Sequence, residues 1–206
     1  MAESPAVNAQ GERGITVGGD VIHSILITGD HNQVFVGNYE RLREAYIEPW
    51  SVFERVNLDH FTGREWLTAE VDTFLQENDR GYFVLEAEAG LGKTTFLAHL
   101  VQERRYLHLF AERAPGEGGI VLALQSLCAQ LVSRYRLEPY AERGTLSQTL
   151  AGRGDFFHRL LRMAAEKLAA GERLVIVVDG LDEAGAPPGH NVLYLPRVLP
   201  EGVYFV

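Results

Sequence analysis

The chain has 206 residues, of which 46% are hydrophobic and 23% charged, a composition too apolar for a disordered segment. At about 150 residues per domain, this length predicts one domain with an appendage. The formal net charge of 19 − 28 = −9 argues against broad binding of nucleic acid or anionic membrane. A single cysteine excludes an internal disulfide. With neither a signal sequence nor a run of ~18 apolar residues, we expect a cytoplasmic protein without a membrane partner.

The first 37 residues form the predicted appendage. Three short β-rich runs at 15–17, 21–27 and 33–36 are separated by Gly-Gly-Asp and Gly-Asp-His-Asn, which are typical hairpin turns. Three short strands bury little surface, so we expect this element to dock on a partner or to pair with copies of itself. Residues 38–60 then predict a linker with a short helix before Pro49.

From residue 61 to residue 206, strand and helix patterns alternate, which predicts a parallel sheet flanked by helices. We expect strands at 82–85, 106–110, 174–178 and 202–206. We expect one helix before the first strand and one between the first and second strands. Two more helices are expected between the second and third strands. In the helix that precedes the third strand, Asp155 is the expected N-cap and Gly171 the expected stop.

The sharpest motif follows the first expected strand. Residues 87–94, here called the phosphate loop, match the pattern G-x-x-x-x-G-K-[ST] with an alanine in place of the first glycine. That methyl group fits if its residue keeps a negative φ. The lysine is expected to reach the β- and γ-phosphates and the threonine hydroxyl to ligate Mg²⁺. The expected nucleotide-binding residues here are Ala87, Glu88, Ala89, Gly90, Leu91, Gly92, Lys93, Thr94 and Thr95.

An acidic motif, Val-Val-Asp-Gly-Leu-Asp-Glu, follows the third expected strand. It places Asp179 at the carboxyl end of that strand, beside the phosphate loop in a parallel sheet. There, Asp179 could hold Mg²⁺ through a water molecule. Asp182 and Glu183 are then placed to orient or deprotonate an attacking water, so these two residues and Lys93 form the candidate catalytic set.

These two motifs, preceded by Phe-Thr-Gly-Arg-Glu at 61–65, resemble the STAND class of P-loop NTPases and particularly its NACHT branch. Ordinary AAA+ ATPases usually place Glu directly after the Mg²⁺-binding Asp, where this chain has Gly180. The resemblance implies that Thr62, Gly63 and Arg64 lie near the base and ribose of the nucleotide. It also implies the strand order 5-1-4-3-2 and an ATP/ADP-controlled switch that oligomerises with ATP. Bacterial members commonly serve in signalling and in defence against phage.

We therefore expect an α/β P-loop NTPase core of the ASCE/AAA+ type over residues 61–206, which binds ATP or ADP with Mg²⁺. Self-association is expected through this core and through residues 14–37. Because the sequence stops within the fourth expected strand, we expect the core to be incomplete. We expect this chain to bind nucleotide, and the resemblance implies slow ATP hydrolysis for the full-length protein.

Two alternatives stay open at this point. The chain could be an oligomerisation scaffold with a degenerate NTPase fold, assembled through its N-terminal strands. It could also be an AAA+ initiator-like ATPase that acts on DNA, although the charge of −9 disfavours nucleic-acid binding by this portion.

Overall fold

The computed structural model describes residues 40–56, 58, 61–111, 117–138, 140, 146–181 and 191–206. Residues from 38 onward belong to one compact unit. The predicted β runs of residues 14–37 lie outside the described residues, as do Asp182 and Glu183. The domain boundaries drawn from the sequence therefore stay predictions.

The described part contains seven α-helices, four strands and a short 3-10 helix at Val192–Tyr194. The strands are β1 (Gly81–Tyr82), β2 (Leu107–Phe110), β3 (Leu174–Asp179) and β4 (Val203–Phe205). The helices are α1 (Glu40–Arg43), α2 (Trp50–Val56), α3 (Glu65–Glu77), α4 (Lys93–Arg104), α5 (Glu117–Tyr135), α6 (Gln148–Ala151) and α7 (Gly154–Ala165). No helix within the described ranges has the length and apolar character needed to cross a membrane.

The four strands form one parallel sheet in the order β1-β4-β3-β2. Tyr204 of β4 lies opposite Gly81 on one side and opposite Val175 on the other. This arrangement confirms the predicted α/β class and matches the 1-4-3-2 part of the strand order that the resemblance implies. Because parallel strands end at the same edge of a sheet, the segments that follow β1 and β3 come to one side of the molecule.

The sheet separates two apolar cores. On β3, Leu174 and Ile176 face a cluster formed with α5 and α7, whereas Val175 and Val177 face a cluster formed with α3 and α4. This alternation follows from the two-residue period of a strand. All of β3 except its last residue is buried, as its continuous aliphatic run predicts for a strand covered on both faces.

The first strand is shorter and less buried than the sequence predicts. The sequence predicts a buried strand at 82–85, yet the Val84 side chain in this range is 69% exposed. Pairing with β4 ends at the hydrogen bond that the Phe83 N–H donates to the Phe205 carbonyl oxygen, 2.8 Å away. In the described sheet β1 has a neighbour on one side only, so the chain is free to leave the ladder here and enter the phosphate loop.

Both predicted ends of α7 were wrong. Asp155 is not the N-cap, since α7 begins at Gly154 after Arg153, and the Asp155 carboxylate instead pairs with the Arg153 guanidinium at 2.9 Å. The helix also ends at Ala165, well before Gly171. After Ala165 the chain continues in tighter turns, in which the N–H groups of residues 167 and 168 donate to carbonyls three residues earlier.

Residues 40–56, predicted to hold one short helix, form both α1 and α2. The second of these begins directly after Pro49, whose carbonyl oxygen accepts hydrogen bonds from the N–H groups of Val52 and Phe53. A proline just before a helix loses nothing by lacking an N–H group, which is why the expected break is the start of α2. Val52 is buried in the same cluster as α3 and α4.

The outer edge of β2 is closed by the side chain of Gln130 from α5, which is only 3% exposed. Its Oε1 accepts a hydrogen bond from the His108 N–H (3.0 Å), and its Nε2 donates to the His108 carbonyl oxygen (2.9 Å). The same Nε2 reaches the Ser126 hydroxyl, which also accepts a hydrogen bond from the Ile47 N–H. These bonds satisfy backbone groups that point away from β3.

We predict that Gln130→Leu lowers the free energy of unfolding by about 2 kcal/mol, since it leaves a half-buried N–H and a half-buried C=O of His108 without these partners. Urea denaturation measures this loss. The control is Gln102→Leu on the exposed face of α4, which should change stability by less than about 0.5 kcal/mol. An equal effect of the two substitutions would contradict the role given to Gln130.

Candidate functional site

The phosphate loop connects β1 to α4 and turns at two glycines. Gly90 and Gly92 have φ angles of 83° and 80°, in the left-handed region that favours glycine. Ala87 has no such positive φ, so its methyl group is accommodated where the motif usually has glycine. Gly92 is the N-cap of α4, and no side chain caps the first turn of this helix. Backbone N–H groups at such a helix start are suited to bind an anion.

Lys93 folds back over the loop that precedes it. Its Nζ donates hydrogen bonds to the carbonyl oxygens of Ala87 (2.6 Å) and Glu88 (3.1 Å). The ammonium group is thereby held against the first part of the loop while its backbone belongs to the first turn of α4.

A cavity of about 380 Å³ opens beside this loop at the carboxyl edge of the sheet, within the size range of small-molecule sites. Lys93 and the half-buried Asp179, the last residue of β3, both line it. The structure thus brings these two predicted charged residues to one cavity. Most of the remaining wall is apolar and includes Phe83, Leu97, Leu195 and Phe205.

The predicted base and ribose residues lie in the 61–64 segment that precedes α3. Arg64 contacts the phosphate loop, because its Nη2 donates a hydrogen bond to the Leu91 carbonyl oxygen at 2.8 Å. Thr62 and Gly63 are exposed, and the Gly63 N–H donates to Glu65 Oε1 at 3.2 Å. Hydrogen bonds from the N–H groups of Glu65 itself and of Gly63 lower the pKa of the Glu65 carboxyl group. None of the 61–64 segment is part of the described cavity wall.

The other predicted site residues are placed as follows. Thr94 and Thr95 lie half-buried in the first turn of α4, outside the described cavity wall. Glu88, Ala89 and the exposed Leu91 form the turn of the phosphate loop. The two acids expected to prepare water, Asp182 and Glu183, lie outside the described residues and stay predictions.

The sequence did not predict the apolar wall that comes from the segment after the 3-10 helix. Leu195 belongs to this segment and lines the cavity. Its neighbour Pro196 accepts a hydrogen bond at 2.5 Å from the Tyr82 hydroxyl, whose pKa burial raises to about 12. No periodicity or motif marks this segment, so only the fold brings it to the site.

The parallel sheet, together with the phosphate loop and its lysine, defines a P-loop NTPase. A comparison with protein families matches residues 60–205 to the AAA ATPase domain. The match covers more than half of the chain, which therefore belongs to the AAA ATPase domain family. No solved structure matches the chain. Membership of this family implies nucleotide binding, usually together with Mg²⁺.

The backbone angles of the phosphate loop predict different effects on ATP binding for a glycine-to-alanine and an alanine-to-glycine substitution. We expect Gly92→Ala to lower the free energy of unfolding by about 1 kcal/mol and to weaken ATP binding, since a side chain is strained at this φ. Ala87→Gly should leave ATP affinity within about twofold of wild type, because Ala87 needs no left-handed conformation. Thermal denaturation and calorimetric titration measure both effects. A marked gain in affinity for Ala87→Gly would show that its methyl group obstructs the site.

Proposed function

We propose that this chain is the ATP- and ADP-binding switch module of a STAND-class, NACHT-like protein that acts in bacterial signalling or in defence against phage. One observation carries the nucleotide-binding part of the proposal: Lys93 and Asp179 line a single cavity beside the phosphate loop. The STAND-like and NACHT-like part rests on the resemblance of the sequence motifs. A nucleotide with its metal ion needs a cation for its phosphates and a carboxylate for the metal, close together.

In this proposal, the phosphates bind the backbone N–H groups of the loop and the ammonium group of Lys93. The hydrogen bonds that Lys93 now donates to two carbonyl oxygens show that its side chain can bend over the loop. A hydrogen bond between two charged groups is stronger than one to a neutral carbonyl. Phosphate binding is therefore expected to draw the Lys93 ammonium away from Ala87 and Glu88.

Thr94 and Asp179 are the proposed residues for Mg²⁺, since a hydroxyl and a carboxylate are the oxygen ligands that this ion prefers. Among the described residues, no group of three or more His, Cys, Asp or Glu side chains could hold a metal ion. In this proposal, the remaining ligands of the ion come from phosphate oxygens and water. When bound, Mg²⁺ neutralises charge on the phosphates.

The backbone at Gly180 supports the STAND-like form of the acidic motif. Its φ of 72° lies in the left-handed region, where a glutamate would be strained by about 1–2 kcal/mol. A catalytic carboxylate directly after Asp179, the usual AAA+ arrangement, therefore does not suit this backbone. Asp182 and Glu183 are the next acids along the chain, and we assign to them the preparation of water for ATP hydrolysis.

The lysine content of the chain allows a sharply controlled test of nucleotide binding. The sequence contains two lysines, and each donates a hydrogen bond of 2.6 Å to a backbone carbonyl oxygen: Lys93 to Ala87 and Lys167 to Arg136. We expect Lys93→Ala to reduce the affinity for a fluorescent ATP analogue at least tenfold, which corresponds to about 1.4 kcal/mol. Lys167→Ala is the matched control and should bind like wild type.

A second arm of this titration tests the metal. Added Mg²⁺ should tighten ATP binding in wild type and in Asp155→Asn, an exposed carboxylate paired with Arg153, but much less in Asp179→Asn. Equal affinity for wild type and Lys93→Ala would reject the proposed function and favour a scaffold with a degenerate NTPase fold.

The proposal includes self-association through the NTPase core and through residues 14–37. Short strand-forming runs that bury little surface by themselves are the sequence feature behind the second contact. We expect sedimentation velocity to show a larger species with ATP than with ADP, and a smaller one for a variant that lacks residues 1–37. An oligomeric state that changes in neither comparison would remove the assembly part of the proposal.

A further inference from the structure

The Arg64 side chain joins the 61–64 segment to the turn of the phosphate loop. Its Nη2 lies 2.8 Å from the Leu91 carbonyl oxygen and 3.9 Å from the position that a Cβ atom would take at Gly92. Gly92 is the N-cap of α4. The guanidinium group therefore lies over the peptide at which the loop becomes a helix.

Arg64 reaches this peptide from a fixed position. Its carbonyl oxygen accepts hydrogen bonds from the N–H groups of Leu67 and Thr68, which makes it the N-cap of α3. At the other end of the 61–64 segment, the Phe61 ring stacks on the His99 ring of α4, with centroids 4.3 Å apart. The Phe61 end of the segment is thus attached to α4, and the Arg64 end is anchored at the start of α3.

The residues around the peptide between Leu91 and Gly92 restrain its orientation little. Glycines with positive φ stand on both sides of Leu91, and its side chain is 52% exposed and anchors little. In a planar peptide the C=O and the following N–H point in opposite directions. A guanidinium group that holds the Leu91 carbonyl therefore also fixes the direction of the Gly92 N–H.

We infer that Arg64 is a positioning residue of the phosphate loop, which acts on the Leu91 carbonyl and sets the Gly92 N–H for phosphate instead of binding the base and ribose. This inference rests on the proposed nucleotide binding. It states that Arg64 affects the binding of the phosphate groups. Replacement of Arg64 should therefore reduce the affinity for a phosphate ligand without a base as strongly as the affinity for ATP.

The deciding probe is inorganic tripolyphosphate, compared with ATP by calorimetric titration. We expect Arg64→Ala to weaken both ligands by a similar factor of about five to ten, as expected for one partly exposed hydrogen bond from a charged group. Arg64→Lys should recover part of the loss, because an ammonium group can also donate to a carbonyl. Arg159→Ala on α7 is the control and should change neither affinity. If ATP weakens while tripolyphosphate does not, Arg64 contacts the base or ribose and the inference is overturned.

Hydrogen exchange of the ligand-free chain separates positioning from a direct contact with phosphate. We expect the Phe96 N–H, which donates to the Gly92 carbonyl oxygen at 3.0 Å, to exchange several-fold faster in Arg64→Ala than in wild type, because the start of α4 loses its hold. Unchanged exchange with weaker tripolyphosphate binding would mean that Arg64 contacts the phosphate itself, which also overturns the inference.

The proposed function and this inference fail in different ways. A wild-type chain that binds neither ATP nor tripolyphosphate rejects the proposed function, while the exchange measurement still tests the hold on the loop. Binding that Lys93→Ala weakens and Arg64→Ala does not would overturn the inference about Arg64 alone.

Discussion

The pairing of β4 with β1 on one side and β3 on the other is the interaction on which the rest of the structure depends. The hydrogen bonds from Phe83 N–H to the Phe205 oxygen and from Val178 N–H to the Val206 oxygen, both 2.8 Å, fasten the two flanking strands to it. With one strand between them, β1 and β3 lie about 10 Å apart, twice the usual strand spacing. That separation leaves room for a cavity between the phosphate loop and Asp179.

The glycines of the phosphate loop allow its backbone carbonyl groups and its backbone N–H groups to point in different directions. Its carbonyl oxygens turn toward cations, since Lys93 holds those of Ala87 and Glu88 and Arg64 holds that of Leu91. A backbone that offers its carbonyl oxygens to side chains on one side can offer its N–H groups on the other. The two cationic side chains thus stabilise a loop conformation whose N–H groups can bind an anion. Lys93 can exchange its carbonyl partners for a phosphate, whereas Arg64 keeps the loop in shape.

Alternation predicted the parallel sheet and three of its four strands to within one residue at each end. Motif spacing marked the loop that lies between β1 and α4, and its binding residues stay a prediction. These features report burial and turn geometry, which residue types encode directly. The early end of β1 could not be predicted in this way, because it depends on which strand lies beside it. The contact of Arg64 is equally invisible in sequence, since its partner is a backbone carbonyl 27 residues away, and every residue has a carbonyl. Leu195 reaches the cavity wall through tertiary packing alone.

The Gln130 side chain also affects which groups can pair with the edge of β2. Its carboxamide presents a donor and an acceptor to His108 just as the backbone of an adjacent strand would, and so imitates a neighbour at that position of β2. Exposed strand edges are common templates for intermolecular β-pairing. A foreign strand could extend the sheet here only by expelling a nearly buried side chain. Pairing of two copies of this chain along β2 is therefore disfavoured at His108.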